Sequence, residues 1–392
     1  MKHQSILIFA GAVFVSYFCH AAETKKSETR FVAEQLTHRT IYHSPQTPGY
    51  TSWVGLWSMP DGSLMATFKQ VTGPIEGRKE KDYDYSGLVL ANIYIHSTNG
   101  GVTWTKTGED IFKGPSERPV WGGSHCALTN GEIIRAVDGS QLPSNSVPRR
   151  IFFQRSMDLG KTWGKPEIPP EPSRPINDYL GDFGDCITRV RRLTNGWLIA
   201  TGVIRTDPSP AKRMMGNPLV MFSKDEGKTW EPQKIEMPNP EMHGGYAWNE
   251  WDCAQLPDGN FLCVFRRNDP KSVKFKQVRW QGLLRKKGDG WILDEYRPAP
   301  FEHSGHPELL ATREGIVLHI ATSGTDWTAD NGKTWHSLDA KERKGPIKSH
   351  YYPVSVQAKD GRIYIVSHAG SDNAYGKIDQ SIVMDTFRLE PE

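Results

Sequence analysis

The sequence predicts an all-β chain folded as a six-bladed β-propeller with four-stranded blades. Two interleaved repeats and the composition lead there. The first repeat reads Ser/Thr-x-Asp/Asn-x-Gly-x-Thr-Trp and occurs four times: Ser97–Trp104, Ser156–Trp163, Ser223–Trp230 and Thr328–Trp335. The second is an Asp-Gly, Asn-Gly or Glu-Gly turn between apolar-alternating runs, at Asp61, Asn130, Asn195, Asp258, Glu314 and Asp360. A chain of 392 residues with 37 Gly, 27 Pro and 13 Trp suits many short strands joined by tight turns.

Each fixed position of the first repeat has a turn or packing reason. The Asp or Asn side chain folds back on the turn backbone, Gly supplies positive φ, and Trp anchors the next strand. The second-repeat turns lie 69, 65, 63, 56 and 46 residues apart, room each time for four strands with loops. A box falls between consecutive turns, with a degenerate KKGDGW (Lys286–Trp291) in the fourth interval. Each unit therefore runs inner strand, hairpin, second strand, third strand, box turn, outer strand. The sixth unit lacks a box, and its outer strand is expected from Arg30–His43, closing the ring beside Ser381–Leu389. No helix of consequence is expected.

Residues 1–22 read as a secretory signal peptide: Lys2 and His3, an apolar run, then Ala21 and Ala22 before the cleavage point. Residues 23–29 form a polar linker, leaving 30–392 as one propeller domain. The expected product is a secreted or periplasmic monomer without membrane insertion, since no stretch approaches ~20 apolar residues. A formal net charge of +3 gives no reason to expect nucleic acid. Of the cysteines beyond the signal, Cys253 and Cys263 flank the Asp258 turn nearly symmetrically and could pair across the hairpin. No CxxC or HExxH spacing suggests zinc, and no cofactor or metal is expected.

In a propeller the starts of the innermost strands surround the axis. Here they carry Trp53, Trp121–Cys126 with His125, Asp178–Asp185, His243–Asp252, His303–Glu308 with His306, and Lys348–Pro353 with His350. Aromatic, His and carboxylate groups converging on one funnel suit carbohydrate. Trp53, His125, Asp185, His243, His306 and His350 are the candidate substrate contacts.

At this point the sequence resembles the sialidase superfamily, whose Asp-boxes match the first repeat over roughly residues 45–390. The more specific match is NEWDCAQLPDGNFLCVFRR, where Glu250, Asp258 and Arg266 fit the family spacing. Tyr352 stands eight residues before Asp360, as the family tyrosine does in its last blade, with Tyr351 beside it. The resemblance implies a retaining mechanism with Tyr352 as nucleophile and Glu250 as its base. A phenol has an ordinary pKa of about 10 and needs a carboxylate neighbour to attack near neutrality. The acid/base aspartate belongs to the loop after the first hairpin, here 73–85, with Glu76, Glu80, Asp82 and Asp84; Asp84 is the candidate. Two of the family's three carboxylate-binding arginines are missing: Thr51-Ser52-Trp53-Val54 stands in place of the first, and the stretch near Gly324–Asp326 has none. Arg266 remains, with Arg267 adjacent. The reading is a secreted, exo-acting glycoside hydrolase on a terminal sugar, acidic sugars included. The alternatives are a lyase acting on a uronate through His or Tyr with Arg266, and a non-catalytic glycan-binding propeller.

Overall fold

A computed structural model describes residues 29–47, 49–78, 86–112, 120–137, 151–167, 186–204, 215–238, 247–248, 250–268, 277–301, 306–369 and 380–392. The expected signal peptide lies outside them. Six sheets, antiparallel but for two short parallel pairings at the edges of blades four and six, stand around one axis. Their inner strands are Tyr50–Ser58, His125–Ala127, Cys186–Arg192, Trp251–Gln255, Glu308–Ala311 and Tyr351–Gln357. Each inner strand pairs with the next strand across one of the six predicted turns. Each blade is built on four strands, except that the outer position of blade two is a single bridge, Phe153 to Glu167; blades three, four and six carry additional short strands. No helix among the described residues is long and apolar enough to cross a membrane. The one helical turn described is the 3-10 segment Gly122–Ser124.

Blade six closes the ring as predicted. Phe31–His43 pairs antiparallel with Ser381–Pro391, from Phe31 opposite Pro391 to His43 opposite Ser381. Inward the order runs Ser381–Pro391, Ile363–His368, Tyr351–Gln357, which makes the first strand of the domain the fourth strand of the last blade; the short strands Asp339–Ala340 and Arg343–Pro346 lie beyond it.

The core is six apolar layers, each shared by two consecutive blades. Leu219, Met221 and Trp230 of blade three meet Ile134 and Phe153 of blade two. Val54, Ala66 and Ile93 of blade one meet Val354, Val366 and Met384 of blade six. The box turns sit in these seams. In the second box Ser156 Oγ donates to Asp158 (2.8 Å) and accepts from Gly160 N–H (2.9 Å), while Asp158 accepts from Thr162 N–H (2.9 Å) and Oγ (2.6 Å). The box glycine has φ +85°, and a Cβ there would lie 2.5 Å from the Tyr94 ring of blade one. The boxes of blades three and five abut Ile134 and Leu262 of their preceding blades in the same way, and that of blade one abuts Met384 across the closure. The box therefore requires glycine for its backbone and for the blade behind it. Trp230 completes the device by stacking on Phe153 of the previous blade at 4.5 Å.

The turns at the other end are simpler. Asp61, Asn130, Asn195, Asp258 and Asp360 each accept from the N–H two residues on, at 2.9–3.0 Å. Cys253 and Cys263 do sit opposite each other across the Asp258 hairpin, but as buried free thiols.

Candidate active site

Counting back from the turns locates the site. Eight residues before the six turn residues stand Trp53, Gly122, Ile187, Glu250, His306 and Tyr352. They occupy one level of the axis, at the end remote from the hairpins. Trp53 and Tyr352, in adjacent blades, share a further device. Pairing slips between Ser52 and Gly55, and again between Tyr351 and Val354. Each slip is a bulge that puts the aromatic residue at positive φ, +52° for Trp53 and +51° for Tyr352. For bulky residues this is a costly conformation, of the kind retained where a side chain must be aimed.

The bulge carries the Tyr352 ring over blade five to blade four, where its hydroxyl donates to Glu250 Oε1 at 3.1 Å. Of the two adjacent tyrosines, Tyr352 makes this bond. Tyr351 instead stacks on His368, which also backs Tyr352, both at 5.7 Å. His368 is fully buried, and burial followed by the nearby His350 pushes its imidazole down to about 3, so it supports both rings as a neutral group. Glu250 Oε2 is ion-paired to Arg266, its cross-strand neighbour on the second strand of blade four. Arg279 continues the row on the third strand, opposite Arg266. Burial first, and the charge of Arg266 second, push Arg279 down to about 9. Carboxylate and two guanidiniums thus lie in line across one sheet, with the phenol on the carboxylate's free oxygen.

His306 lies between the blades that supply the pair. Its ring centroid is 6.4 Å from that of Tyr352, and burial, then Arg189, hold it well below the usual imidazole range. Its Nδ1 faces Pro307 O at 2.7 Å and the Arg189 guanidinium at 3.1 Å. One step down the axis Glu308 accepts from Arg189 (3.2 Å) and Arg191 (2.9 Å) on one oxygen, and from Ser355 N–H (2.8 Å) and Oγ (2.7 Å) on the other. Asp252 accepts from Arg191 (2.6 Å) and Leu309 N–H (2.7 Å). This belt ties the inner strands of blades three to six beneath the site. Below it a cavity of about 1080 Å³ opens toward the hairpin face, lined by Arg189, Arg191 and Ser355 but not by Glu250, Arg266 or Tyr352.

The other candidates divide. Trp53 stacks on Trp121 at 4.3 Å, and Trp121 lies 6.5 Å from Tyr352, so the three rings form one wall. His125 does not reach the funnel. It is 3 % exposed, stacked on Trp57, with Nε2 3.1 Å from the Tyr94 hydroxyl and Nδ1 3.0 Å from Gly122 O. Burial pushes it down to about 3, and it serves as a packing residue in the seam of blades one and two. His350 turns into blade six, toward His38 at 5.7 Å. Asp84, Asp185 and His243 lie outside the described residues, as do Glu80 and Asp82; Glu76 is exposed.

Besides Arg266, which carries the family spacing, the structure brings in Arg279 at this level and Arg189 one step down the axis, where it touches His306. Arg189 was legible: it lies six residues before its turn, as Asp252 and Glu308 do before theirs, with the same strand parity as Glu250. Trp121 opens the Trp121–Cys126 segment named at its inner-strand start, while Arg279 carries no comparable signal.

Residues 14–365 match the family model described as BNR repeat-like domain. Among solved structures, the α-L-arabinofuranosidase Arb93A from Fusarium graminearum is similar at 14% identity and TM-score 0.58, covering 89% of this chain and 97% of that one. A Dyadobacter fermentans protein of unknown function is similar at 15% identity and TM-score 0.54, covering 91% and 99%. The NanB sialidase from Streptococcus pneumoniae is similar at 12% identity and TM-score 0.52, covering 88% and 70%. No curated protein is similar enough in sequence to match the chain.

Proposed function

The chain belongs to the BNR repeat-like family, and on that premise we propose that it is a retaining glycoside hydrolase that releases a terminal sugar. The observation that carries this is the Tyr352 hydroxyl donating to Glu250 at 3.1 Å while Arg266 holds the other carboxylate oxygen. A phenol is a poor nucleophile until a base takes its proton, and the carboxylate is already placed to take it. Tyr352 Oη attacks the anomeric carbon as its proton passes to Glu250. The glycosidic C–O bond breaks, and the leaving oxygen takes a proton from an acid of the 73–85 loop, Asp84 being the candidate. Water then cleaves the tyrosyl–sugar bond by the reverse proton path, which retains configuration. The named activities of the fold neighbours, arabinofuranosidase and sialidase, support glycoside hydrolysis as the class.

The test is hydrolysis of a nitrophenyl glycoside panel by the purified chain, with Tyr352→Phe and Glu250→Gln. Each substitution is expected to lower kcat by about 10²–10⁴-fold. Activity surviving both, or an unsaturated uronate product absorbing in the ultraviolet, would overturn the mechanism.

A further inference from the structure

We propose that the terminal sugar is uncharged and is held by its apolar face against Trp121, with Trp53 as the backing ring. This rests on the glycosidase reading and names its substrate class.

Among the described residues, no guanidinium at the level of Tyr352 or one step below it is open to a substrate carboxylate. Arg266 is paired with Glu250 and its side chain is 14% exposed. Arg189 is committed to Glu308 and touches His306. Arg279 is 1% exposed, behind Arg266. A carboxylate is recognised by a guanidinium that can present two N–H groups to it, and each of these is buried or already engaged. The level-equivalent position of blade one carries Trp53, whose φ of +52° turns an aromatic ring, not a cation, to the axis. The nearest cation of that blade, Lys69, is 1% exposed and lies over the Trp53 ring at 4.1 Å, so its charge is spent on the ring face.

Trp121 is built to be rigid. The 3-10 turn after it returns Ser124 N–H and Oγ to Trp121 O at 3.1 and 2.6 Å. The next residue, Gly122, packs so close to blade one that a Cβ would lie 2.2 Å from Val54 C. Trp53 stacks on Trp121 at 4.3 Å, and Trp121 is half-buried 6.5 Å from the Tyr352 ring. A fixed indole beside the nucleophile offers a flat apolar surface to the C–H face of a pyranose or furanose, and a neutral sugar loses no ionic hydration by lying on it.

The experiment compares nitrophenyl glycosides of neutral pentoses and hexoses with a glucuronide and a sialoside, using the full chain, Trp121→Ala, Trp121→Phe and Trp53→Ala. Neutral glycosides are expected to exceed acidic ones at least 10-fold in kcat/KM. Trp121→Ala should raise KM on the preferred neutral glycoside about 10-fold or more with kcat little changed, and Trp121→Phe should recover part of it. Turnover confined to acidic glycosides, or an unchanged KM in Trp121→Ala, would overturn the proposal while leaving Tyr352-dependent hydrolysis intact. If no glycoside is turned over through Tyr352, the glycosidase reading fails separately. Tryptophan fluorescence titration of Tyr352→Phe with L-arabinose, D-galactose and D-glucuronate then decides the sugar class, and no response to either neutral sugar, or a response to glucuronate alone, overturns it.

Discussion

Removing the Glu308 carboxylate should loosen three blades at once. The side chain is fully buried and holds Arg189, Arg191 and both donors of Ser355. Glu308→Ala leaves the buried Arg189 guanidinium without its carboxylate, Arg191 with Asp252 alone, and a backbone N–H without its acceptor, a loss of about 3–5 kcal/mol. Unfolding entropy of about 2.1 cal/mol/K per residue over about 360 residues gives about 0.8 kcal/mol/K, so the loss corresponds to a Tm about 4–6 °C lower. Glu308→Gln keeps the shape and one acceptor and should lose about half as much. The control is Glu236→Gln, which breaks the Lys287 pair at side chains 56% and 54% exposed; exposed pairs contribute little, and its shift should stay within about 1 °C. Differential scanning calorimetry on the three variants reads this directly. A Glu308→Ala Tm indistinguishable from the control would refute the belt as a stabilising element.

Gly160→Ala should destabilise far more than Gly62→Ala. Both have φ near +85°, but a Cβ at Gly160 meets the Tyr94 ring at 2.5 Å and one at Gly62 meets nothing. Chemical denaturation midpoints should show about 1 kcal/mol for Gly62→Ala and at least twice that for Gly160→Ala. At Asp158, Asp225 and Asp330 burial raises the carboxyl, but the bonds from Thr162, Thr229 and Thr334 outweigh it and hold each below the usual range. A depressed folded-state value means their stabilisation is complete above the unfolded value of about 3.9 and is lost as pH falls through the folded values. Asn99 already bridges the same partners in the first box, accepting from Ser97 Oγ and Thr103 N–H and donating through Nδ2 to Thr103 Oγ1, so the triple Asp→Asn variant should fold and lose that part of the acid dependence, measured as melting temperature from pH 5 down to pH 2.

The architecture was readable because each of its signals is local. A turn needs Asp or Asn with Gly in a fixed order, and the spacing of six such turns counts the blades. Glu250 and Tyr352 were readable for the same reason, since a fixed distance back from a turn is a fixed height on the axis. His125 misled because offset matters more than residue type: it lies five residues before its turn, so its side chain enters a seam between blades. The positive φ of Trp53 and Tyr352 left no trace, because neither residue is a glycine. The pairing of Arg189 and Arg191 with Glu308 joins residues more than a hundred positions apart, and a run such as CITRVRR reads equally well as an ordinary solvated strand.

The closure of blade six has a consequence for biosynthesis. Phe31–His43 emerges first and cannot find its partner until Ser381–Pro391 has been made. Until then it is an unpaired edge, the kind of strand that recruits other chains, and its native pairing is among the least local in the molecule. Once formed, the same pairing leaves no blade free to peel away, with Glu392 N–H donating to Arg30 O at 2.7 Å across the seam. A permuted chain that placed Ser381–Pro391 directly before Phe31–His43 would turn that last step into a hairpin, and it should refold faster to the same ring.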